Sequence, residues 1–388
     1  MRIALLCCDP LAGSAESIGC SVRLRSLAEA LVRAGHSVFA VSASAGADTP
    51  PSDLAGLEIR PLRLPVTARE IDWHFSRIQP DLVIERMLAF SHEGAQAAAE
   101  AGIAHVYELA TPLVAGLHEP RDLTLATARA LQFTSGVLAG SSSAARWLSA
   151  IAHAPVPVTV LPGAAGAHFM RPVAPVAIRD VEQRLRLGAG EFRVGFLGAF
   201  TADSGVVDLV RAVGAIHKTR PARLVLMGDG PLRNAVLRTA FEQGTPIVLC
   251  GRVPHERVPA HLAACHTVVI PGDRGDAYRA PLALHEALAT SRPVVALDTP
   301  AIASVVRDGR DAILIDSVGE DAVILRDALM RLAQDAALAA RLGAEGRRTV
   351  ERGHTWDVLA VRAVRFAKEL PVRTSGANEE PMQRVSAR

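Results

Sequence analysis

The chain contains 388 residues, of which 49% are hydrophobic and 21% are charged, and its formal net charge is only +2. A disordered chain would carry fewer apolar residues and a fibrous one would show a fixed glycine period, so this composition indicates a globular protein. At roughly 100–200 residues per domain, the length predicts about two domains, each large enough to bury its own core.

The basic residues argue against a broad nucleic-acid surface. Acidic residues nearly balance them, no arginine-aromatic stripe is visible, and aromatic residues make up only 4% of the chain. Of the 42 basic residues, Lys218 and Lys368 are the two lysines. Any site whose chemistry needs a lysine therefore has two candidates in this sequence.

The cysteines show no metal-binding pattern. Cys7, Cys8, Cys20, Cys250 and Cys265 have neither C-x-x-C spacing nor a nearby histidine pair, so we expect reduced, mostly buried thiols and no metal. The apolar run in MRIALLCCDP is too short for a signal peptide, and no later run reaches the roughly 18 apolar residues that span a bilayer. We expect a cytoplasmic protein without a transmembrane segment.

Short aliphatic and β-branched runs alternate with segments of helical period, which predicts βαβ units and a mostly parallel sheet. In the first half the strands are predicted at residues 2–8, 37–42, 81–85, 105–108, 137–139 and 158–161. A loop at 9–19 precedes a helix at 22–34, which Gly35 and His36 end.

A second series repeats this pattern. Its strands are predicted at residues 192–197, 223–227, 247–250, 267–270 and 293–296, and its helices at 209–217, 232–244, 258–264 and 282–290. Residues 162–175 are rich in Gly, Ala and Pro and are predicted to link the two domains. We predict domains at 1–166 and 167–352, a helix at 353–370 that packs on the first domain, and a disordered tail at 371–388. Ligands of such sheets bind outside the carboxyl ends of the strands, here in a cleft between the domains.

Four segments of the second half stand out by their order and spacing: VGFLGAF at 194–200, LVLMGDGPLR at 224–233, VLCGRVPHERVPAHLAACHTVVIPG at 248–272 and PLALHEALATSRPVVALDTP at 281–300. Through them, residues 194–356 resemble family 4 of the glycosyltransferases. VVRDGRDAILI at 305–315 and HTW at 354–356 continue it, and the first half adds GCSVRLRSLAEALVRAGHSVFAVS, PDLVIERM and YELATPL.

The resemblance implies an α/β protein of the GT-B fold, with two tandem Rossmann-like domains and an interdomain cleft. It further implies a retaining, metal-independent, hexosyltransferase-like enzyme (EC 2.4) that moves a sugar from a nucleoside-diphosphate sugar to an unknown acceptor. The nucleotide sugar is a co-substrate, so no cofactor is expected. Acceptors in the family are often lipid-linked, which leaves peripheral membrane contact open, although no basic amphipathic face requires it.

By this resemblance Glu286 is the second glutamate of the E-x7-E pattern and binds both ribose hydroxyls; the alternative is a solvated helix glutamate. The turn at Gly228, Gly230 and Pro231 either offers backbone N–H groups to the donor or is only a tight connection. The expected donor-binding residues are Gly198, Ser204, Gly228, Gly230, Pro231, Gly251, Arg252, Val253, Arg279, Leu282 and Glu286.

In the first half, the glycine-containing loop at 13–21, with Gly19 and Ser21, is expected to let substrate approach the backbone. It is not G-x-G-x-x-G, which disfavours a nicotinamide dinucleotide. Glu108 matches a polar cleft position of the family. Glu85 and Arg86 either bind the acceptor or pair with each other as surface charges, and the pairing is favoured.

This sequence departs from the family pattern where the donor diphosphate binds. Tyr278 stands at the first glutamate of E-x7-E, with Asp276 two positions away, and no catalytic residue is assigned. Ala199, Ser204 and Ala283 replace the expected cations, and Arg252, Arg274 and Arg279 are the arginines that could compensate.

Two hypotheses follow. The chain is either an active glycosyltransferase with a rewired diphosphate site or a degenerate, non-catalytic binding or partner subunit, and the first is favoured because Glu286 and the GDGP turn are retained. A nucleotide-sugar epimerase is disfavoured, because no histidine-carboxylate constellation is evident.

Overall fold

The computed structural model describes residues 1–8, 18–42, 55–63, 66–88, 91–110, 120–152, 155–272, 280–316 and 322–374, with 18–21 and 120–125 described by their backbone alone. Contacts divide the chain into two compact units. The amino unit comprises Met1–Pro162 and the chain from Trp356 onward, and the carboxyl unit comprises Gly163–Thr355.

The amino unit is built on a parallel sheet of buried aliphatic strands. They are β1 (Arg2–Cys7), β2 (Ser37–Ser42), β3 (Leu57–Pro61), β4 (Leu82–Arg86), β5 (Ala104–Leu109), β6 (Gly136–Ala139) and β7 (Val158–Val160). Among the described residues these seven strands are ordered β3-β2-β1-β4-β5-β6-β7, and each neighbouring pair is parallel. Every crossover therefore returns the chain to the same edge of the sheet.

Where the structure describes them, the crossovers of this unit contain helices. They include α1 (Ile18–Arg33), α2 (Ala68–Ile78), α3 (Glu93–Glu100), α4 (Pro120–Gln132) and α5 (Ser142–Ile151). In α2, the Thr67 hydroxyl accepts a hydrogen bond from the Glu70 N–H at 3.3 Å and caps the helix. Ile71, Phe75 and Ile78, spaced three and four residues apart, are buried against the sheet.

The carboxyl unit repeats this design with β8 (Phe192–Leu197), β9 (Ala222–Met227), β10 (Ile247–Gly251), β11 (Thr267–Ile270), β12 (Val294–Leu297) and β13 (Ile313–Ile315). Within the described residues they form one parallel sheet in the order β10-β9-β8-β11-β12-β13. The order reverses between β8 and β11, and a ligand crevice is expected at the carboxyl ends of strands at such a point.

Its helices are α6 (Pro175–Arg184), α7 (Val206–His217), α8 (Arg233–Gln243), α9 (Val258–Ala263), α10 (Leu282–Ala289), α11 (Pro300–Ala303), α12 (Val323–Gln334) and α13 (Ala336–Gly353). Short 3-10 helices occur at Ala167–Met170, Ala202–Ser204 and His255–Arg257. The last helix, α14 (Trp356–Lys368), belongs to the amino unit and lies against α1.

The α/β class predicted from the sequence is confirmed, and strands β2, β8 and β11 have the predicted bounds. The predicted linker at 162–175 is wrong in part. Residues 163–166 are buried, and Ala165 and Phe169 lie fully buried in the core of the carboxyl unit. Small residues there allow close packing rather than flexibility. Of the predicted tail, residues 375–388 lie outside the described residues.

Where the structure describes the chain, no helix is both long and apolar enough to cross a membrane. In the same residues, no group of three His, Cys, Asp or Glu side chains could hold a metal ion.

Candidate functional site

Glu286 lies on α10, in the crossover that follows β11, and only 5% of its surface is exposed. Its Oε1 lies 2.7 Å from Nε2 of His255, which stands in the 3-10 helix after β10. Because two crossovers of one sheet supply this pair, it lies beyond the carboxyl ends of the strands. The alternative of a solvated glutamate is therefore wrong.

Two aromatic rings hold His255 in place. The His168 ring lies edge-on to the His255 ring with their centroids 4.6 Å apart, and the Phe169 ring is 5.2 Å away. Burial, and then the neighbouring His255, lower the pKa of His168 below its ordinary 6.5, so His168 is neutral at pH 7. We call His168, His255 and Glu286 the Glu286 cluster; it presents a carboxylate in a fixed orientation.

The glycines of the predicted donor turn are explained by loop packing. The N–H of Gly228 donates to the Gly251 carbonyl at 2.8 Å, and the N–H of Gly230 donates to Asp229 Oδ1 at 2.9 Å. A Cβ on Gly228, where φ is +138°, would lie 1.9 Å from the Gly198 carbonyl oxygen. The expectation that these N–H groups are open to the donor is wrong, because both already have acceptors.

Other predicted donor residues lie along the same edge of the sheet. Ser204 uses its hydroxyl to donate to the Thr201 carbonyl at 2.7 Å, just before α7. Arg252 and Pro231 are exposed, whereas Val253 and Leu282 are half-buried. Gly251 has φ +64° and open space where a Cβ would stand. Arg252 is thus an exposed cation next to a backbone that a ligand can approach.

Several predicted site residues lie outside the described residues. They are Asp276, Tyr278, Arg279 and the compensating Arg274, together with most of the loop at 13–21. Gly19 and Ser21 lie in α1, in the part of the helix that is described by its backbone alone.

The structure contradicts a surface pair between Glu85 and Arg86. They are neighbours on β4, and side chains of adjacent strand residues point to opposite faces. Glu85 is fully buried, with Oε2 2.9 Å from His105 Nε2, while Arg86 Nη1 lies 3.4 Å from Glu108 Oε2. Burial raises the pKa of Glu85, and the His105 hydrogen bond offsets this only in part.

Glu108 is held by two arginines. Arg23 on α1 donates to Oε1 of Glu108 and, at 3.2 Å, to the Leu161 carbonyl, and its guanidinium lies 5.1 Å from the centre of the Trp356 ring. Burial alone would raise the pKa of Glu108, but Arg23 and Arg86 together lower it below its ordinary value. The carboxylate is therefore ionised at neutral pH and engaged by both cations.

Comparisons with known proteins agree with this architecture. Residues 191–335 match the model of the family Glycosyl transferases group 1. The structure of sucrose-phosphate synthase from Thermosynechococcus elongatus superimposes with a TM-score of 0.76 at 19% identity, covering 95% of this chain and 99% of that one. HepE of Anabaena, solved with UDP and glucose, gives a TM-score of 0.78 at 16% identity, covering 95% and 100%. The fold is GT-B.

Curated relatives point the same way. An uncharacterized glycosyltransferase of Methanocaldococcus jannaschii is 25% identical over 193 residues, which are 49% of this chain and 52% of the relative. The alpha-D-kanosaminyltransferase of Streptomyces kanamyceticus is 24% identical over 168 residues, 42% of each chain. The chain thus spans about half the length of the curated relatives it matches. The relatives that these comparisons find are glycosyltransferases.

In this GT-B chain, sequence reasoning missed His255, His168, His105 and Arg23. The first two stand 31 and 118 positions from Glu286, so only the folded chain brings them together. Of these four residues, Arg23 was the easiest to predict from the sequence, because it stands just after the predicted substrate loop at 13–21.

Proposed function

We propose that the chain is a glycosyltransferase of family 4, which transfers a sugar from a nucleoside-diphosphate sugar to an acceptor with retention of configuration and without a metal. The nucleotide binds the carboxyl unit, and Glu286 accepts hydrogen bonds from the ribose hydroxyls. Groups near Glu108 and the loop at 13–21 are proposed for the acceptor.

The Glu286 cluster is the observation that carries this proposal. A buried carboxylate is costly unless hydrogen-bond donors satisfy it, and the contact with His255 accounts for one oxygen atom. A ribose diol supplies two further donors at a spacing that suits a carboxylate. HepE, which shares the fold, was solved with UDP and with UDP-glucose, which supports the same class of donor here.

For the diphosphate, the proposal relies on Arg252 and on the amino terminus of α7. That terminus follows the carboxyl end of β8, where free N–H groups and the helix dipole favour an anion. Arg279, on a loop predicted to lie near the donor, is proposed for the same role as a compensating cation. These cations and dipoles neutralise the charge that develops on the leaving nucleoside diphosphate.

A degenerate binding subunit is the second candidate, favoured by a specific observation. Ser204 stands at the expected lysine position, and its hydroxyl is engaged by Thr201 in a local turn. Ala199 and Ala283 add no charge. In this alternative the nucleotide binds through Glu286, but no transfer follows.

Calorimetric titration with UDP, GDP and ADP tests the proposal. We expect one of them to bind with micromolar affinity and Glu286→Ala to weaken binding by about tenfold or more. Glu242→Ala, which removes an exposed carboxylate on α8, is the matched control and should leave binding unchanged. NMR of the product formed from the matching nucleotide sugar then reports the anomeric configuration.

The outcomes separate the two candidates. Binding followed by transfer with retention supports the enzyme, and binding with no transfer or hydrolysis supports the partner subunit. If wild type binds none of the nucleotides, both forms of the proposal are wrong.

A further inference from the structure

A pocket with a volume of about 400 Å³ lies in the carboxyl unit, apart from the Glu286 cluster. It is lined where strands begin, by Phe192 at the start of β8, His266 just before β11 and Arg292 just before β12. Leu332 on α12 and Ala340 on α13 complete its walls. Since the Glu286 cluster follows the carboxyl ends of the same strands, this pocket belongs to the other edge of the sheet.

Guanidinium groups outnumber carboxylates around this pocket, which we call the Arg292 pocket. Arg220 and Arg292 line it, and Arg193 and Arg223 lie beside it. Glu191, which also lines the pocket, accepts two hydrogen bonds from Arg223, at 2.7 and 2.6 Å, and Glu182 lies 2.5 Å from Arg193. Asp335, next to the pocket, caps α13 by accepting a hydrogen bond from the Leu338 N–H at 2.8 Å. In the described part of the chain, neither of the two arginines that line the pocket forms an ion pair with a carboxylate.

The two lining arginines differ in how they are satisfied. Arg220 donates to the Ala333 carbonyl at 2.7 Å and stacks over the Phe192 ring at 5.6 Å. Nε of Arg292 is buried without a hydrogen bond, and in the described part of the chain this guanidinium has no carboxylate partner. A half-buried donor left in this state is costly, and a bound water molecule, an ion or a ligand can satisfy it.

The pKa values of His266 and Arg292 reflect the positive charge of the arginines around the pocket. Burial, then Arg193, Arg292 and Arg220, lower the pKa of His266 to about 4. Burial also lowers the pKa of Arg292, and the nearby Arg193 acts in the same direction. His266 is neutral at pH 7, and its Nδ1 accepts the Arg193 N–H at 2.9 Å, so its proton lies on Nε2.

We propose that the Arg292 pocket binds a small phosphate-bearing molecule, whose phosphate is held by Arg220 and Arg292. Two guanidinium groups without carboxylates match a dianion better than a monoanion, and the planar fork of arginine suits phosphate oxygens. The pocket volume admits a molecule of metabolite size, and the Phe192 ring, Leu332 and the alanine methyl groups receive its non-ionic part.

Thermal unfolding of the full chain in increasing inorganic phosphate, with chloride holding the ionic strength constant, tests this site. We expect a saturable rise in the unfolding midpoint of wild type, because a ligand that binds the native state stabilises it. Arg292→Gln should weaken the apparent affinity at least about tenfold, while Arg238→Gln, which removes an exposed arginine of α8, should not change it.

A second pair of variants covers a folding defect in Arg292→Gln. Ala340→Glu places a carboxylate on the pocket wall and should remove the phosphate response, and Ala337→Glu, exposed on the same helix outside the pocket, should retain it. A wild type without a saturable response, or a response that survives both pocket variants, overturns the proposal. Neither result depends on Glu286, so this test and the nucleotide titration fail independently.

Discussion

At the scale of single residues, Glu85 and Glu108 show how one sheet holds two buried carboxylates in opposite ways. Both are nearly inaccessible to solvent and stand on neighbouring strands. Glu85 meets a histidine and its pKa rises, whereas Glu108 meets two arginines and its pKa falls. Burial raises both pKa values; at Glu108 the two arginines outweigh it, whereas at Glu85 the contact with His105 offsets it only in part.

The opposite shifts predict opposite pH dependences. Glu108 has a lowered folded-state pKa, so its stabilisation is complete above the ordinary value of 4.5 and is lost as the pH falls through the folded-state pKa. Glu108→Gln should therefore cost about 3–5 kcal/mol at pH 7 and less in acid. Urea denaturation of wild type and variant, from pH 7 down to below 4.5, measures the difference in the free energy of unfolding.

Glu85→Gln is the matched control. Because the folded-state pKa of Glu85 is raised, the wild-type protein loses stability at this site as the pH rises above the ordinary value of 4.5. Relative to wild type, the free energy of unfolding of Glu85→Gln should rise with increasing pH, whereas that of Glu108→Gln should fall. Equal slopes for the two variants would contradict the assigned pKa directions.

His255 permits another prediction at this scale. If it orients Glu286, His255→Ala should weaken nucleotide binding severalfold while the fold is kept, and His255→Asn or His255→Gln should restore part of the affinity through a side-chain amide donor. Calorimetry on the three variants, with circular dichroism as the folding check, separates positioning from a general loss of structure. An unchanged affinity in His255→Ala would exclude the positioning role.

At the scale of elements, the loops after β8 and β9 approach each other more closely than any side chain allows. A Cβ on Gly230 would lie 2.7 Å from the backbone nitrogen and oxygen of Phe200, in addition to the clash of Gly228 with Gly198. Glycine here permits contact between backbones, which fixes two loops at the edge proposed to bind the donor.

Gly228→Ala should accordingly destabilise the carboxyl unit by about 2 kcal/mol or more, because both the overlap and the positive φ oppose it. Gly244→Ala is the control: its φ is +64°, but nothing lies within 4 Å of the new Cβ, so we expect about 1 kcal/mol. Hydrogen exchange of β8 and β9 compares the two variants. Similar protection in both would rule out the steric explanation.

The elements also show what the sequence could predict. Continuous aliphatic runs identified most strands, since a strand covered on both faces reads as apolar throughout. β3 was missed because its residues are half-buried or exposed, and the three-residue strand β13 was missed as well. In the site, Glu286 was found by resemblance, but its histidine partners depend on tertiary contacts. The error at Glu85 and Arg86 was avoidable, because strand alternation separates adjacent side chains.

At the scale of the whole molecule, the two units differ in how the chain builds them. The carboxyl unit is one continuous segment, whereas the amino unit needs the chain that returns at Trp356. Trp356 is 2% exposed, and Arg33 on α1 lies 2.7 Å from Asp357 on α14. The sequence of the first half alone therefore lacks part of its own core.

Two fragments test this unequal construction. Residues 163–355 expressed alone should fold with a cooperative thermal transition, while residues 1–162 should not, because α14 is missing. Adding a peptide with the sequence of residues 356–374 should restore protection of β1 and β5 in hydrogen exchange. A stable fragment 1–162 with native protection would show that α14 is dispensable.

The Ala165 N–H donates to the His354 carbonyl at 2.9 Å, so the chain enters and leaves the carboxyl unit at adjacent points. In the amino unit, Arg23 contacts the Leu161 carbonyl and the Trp356 ring, which belong to the chain just before and just after residues 163–355. In engineering terms, residues 163–355 form a cassette with neighbouring ends. A chimaera that exchanges this half for that of another GT-B protein requires two crossovers, at 162/163 and 355/356, and must keep Arg23, Leu161 and Trp356 from one parent.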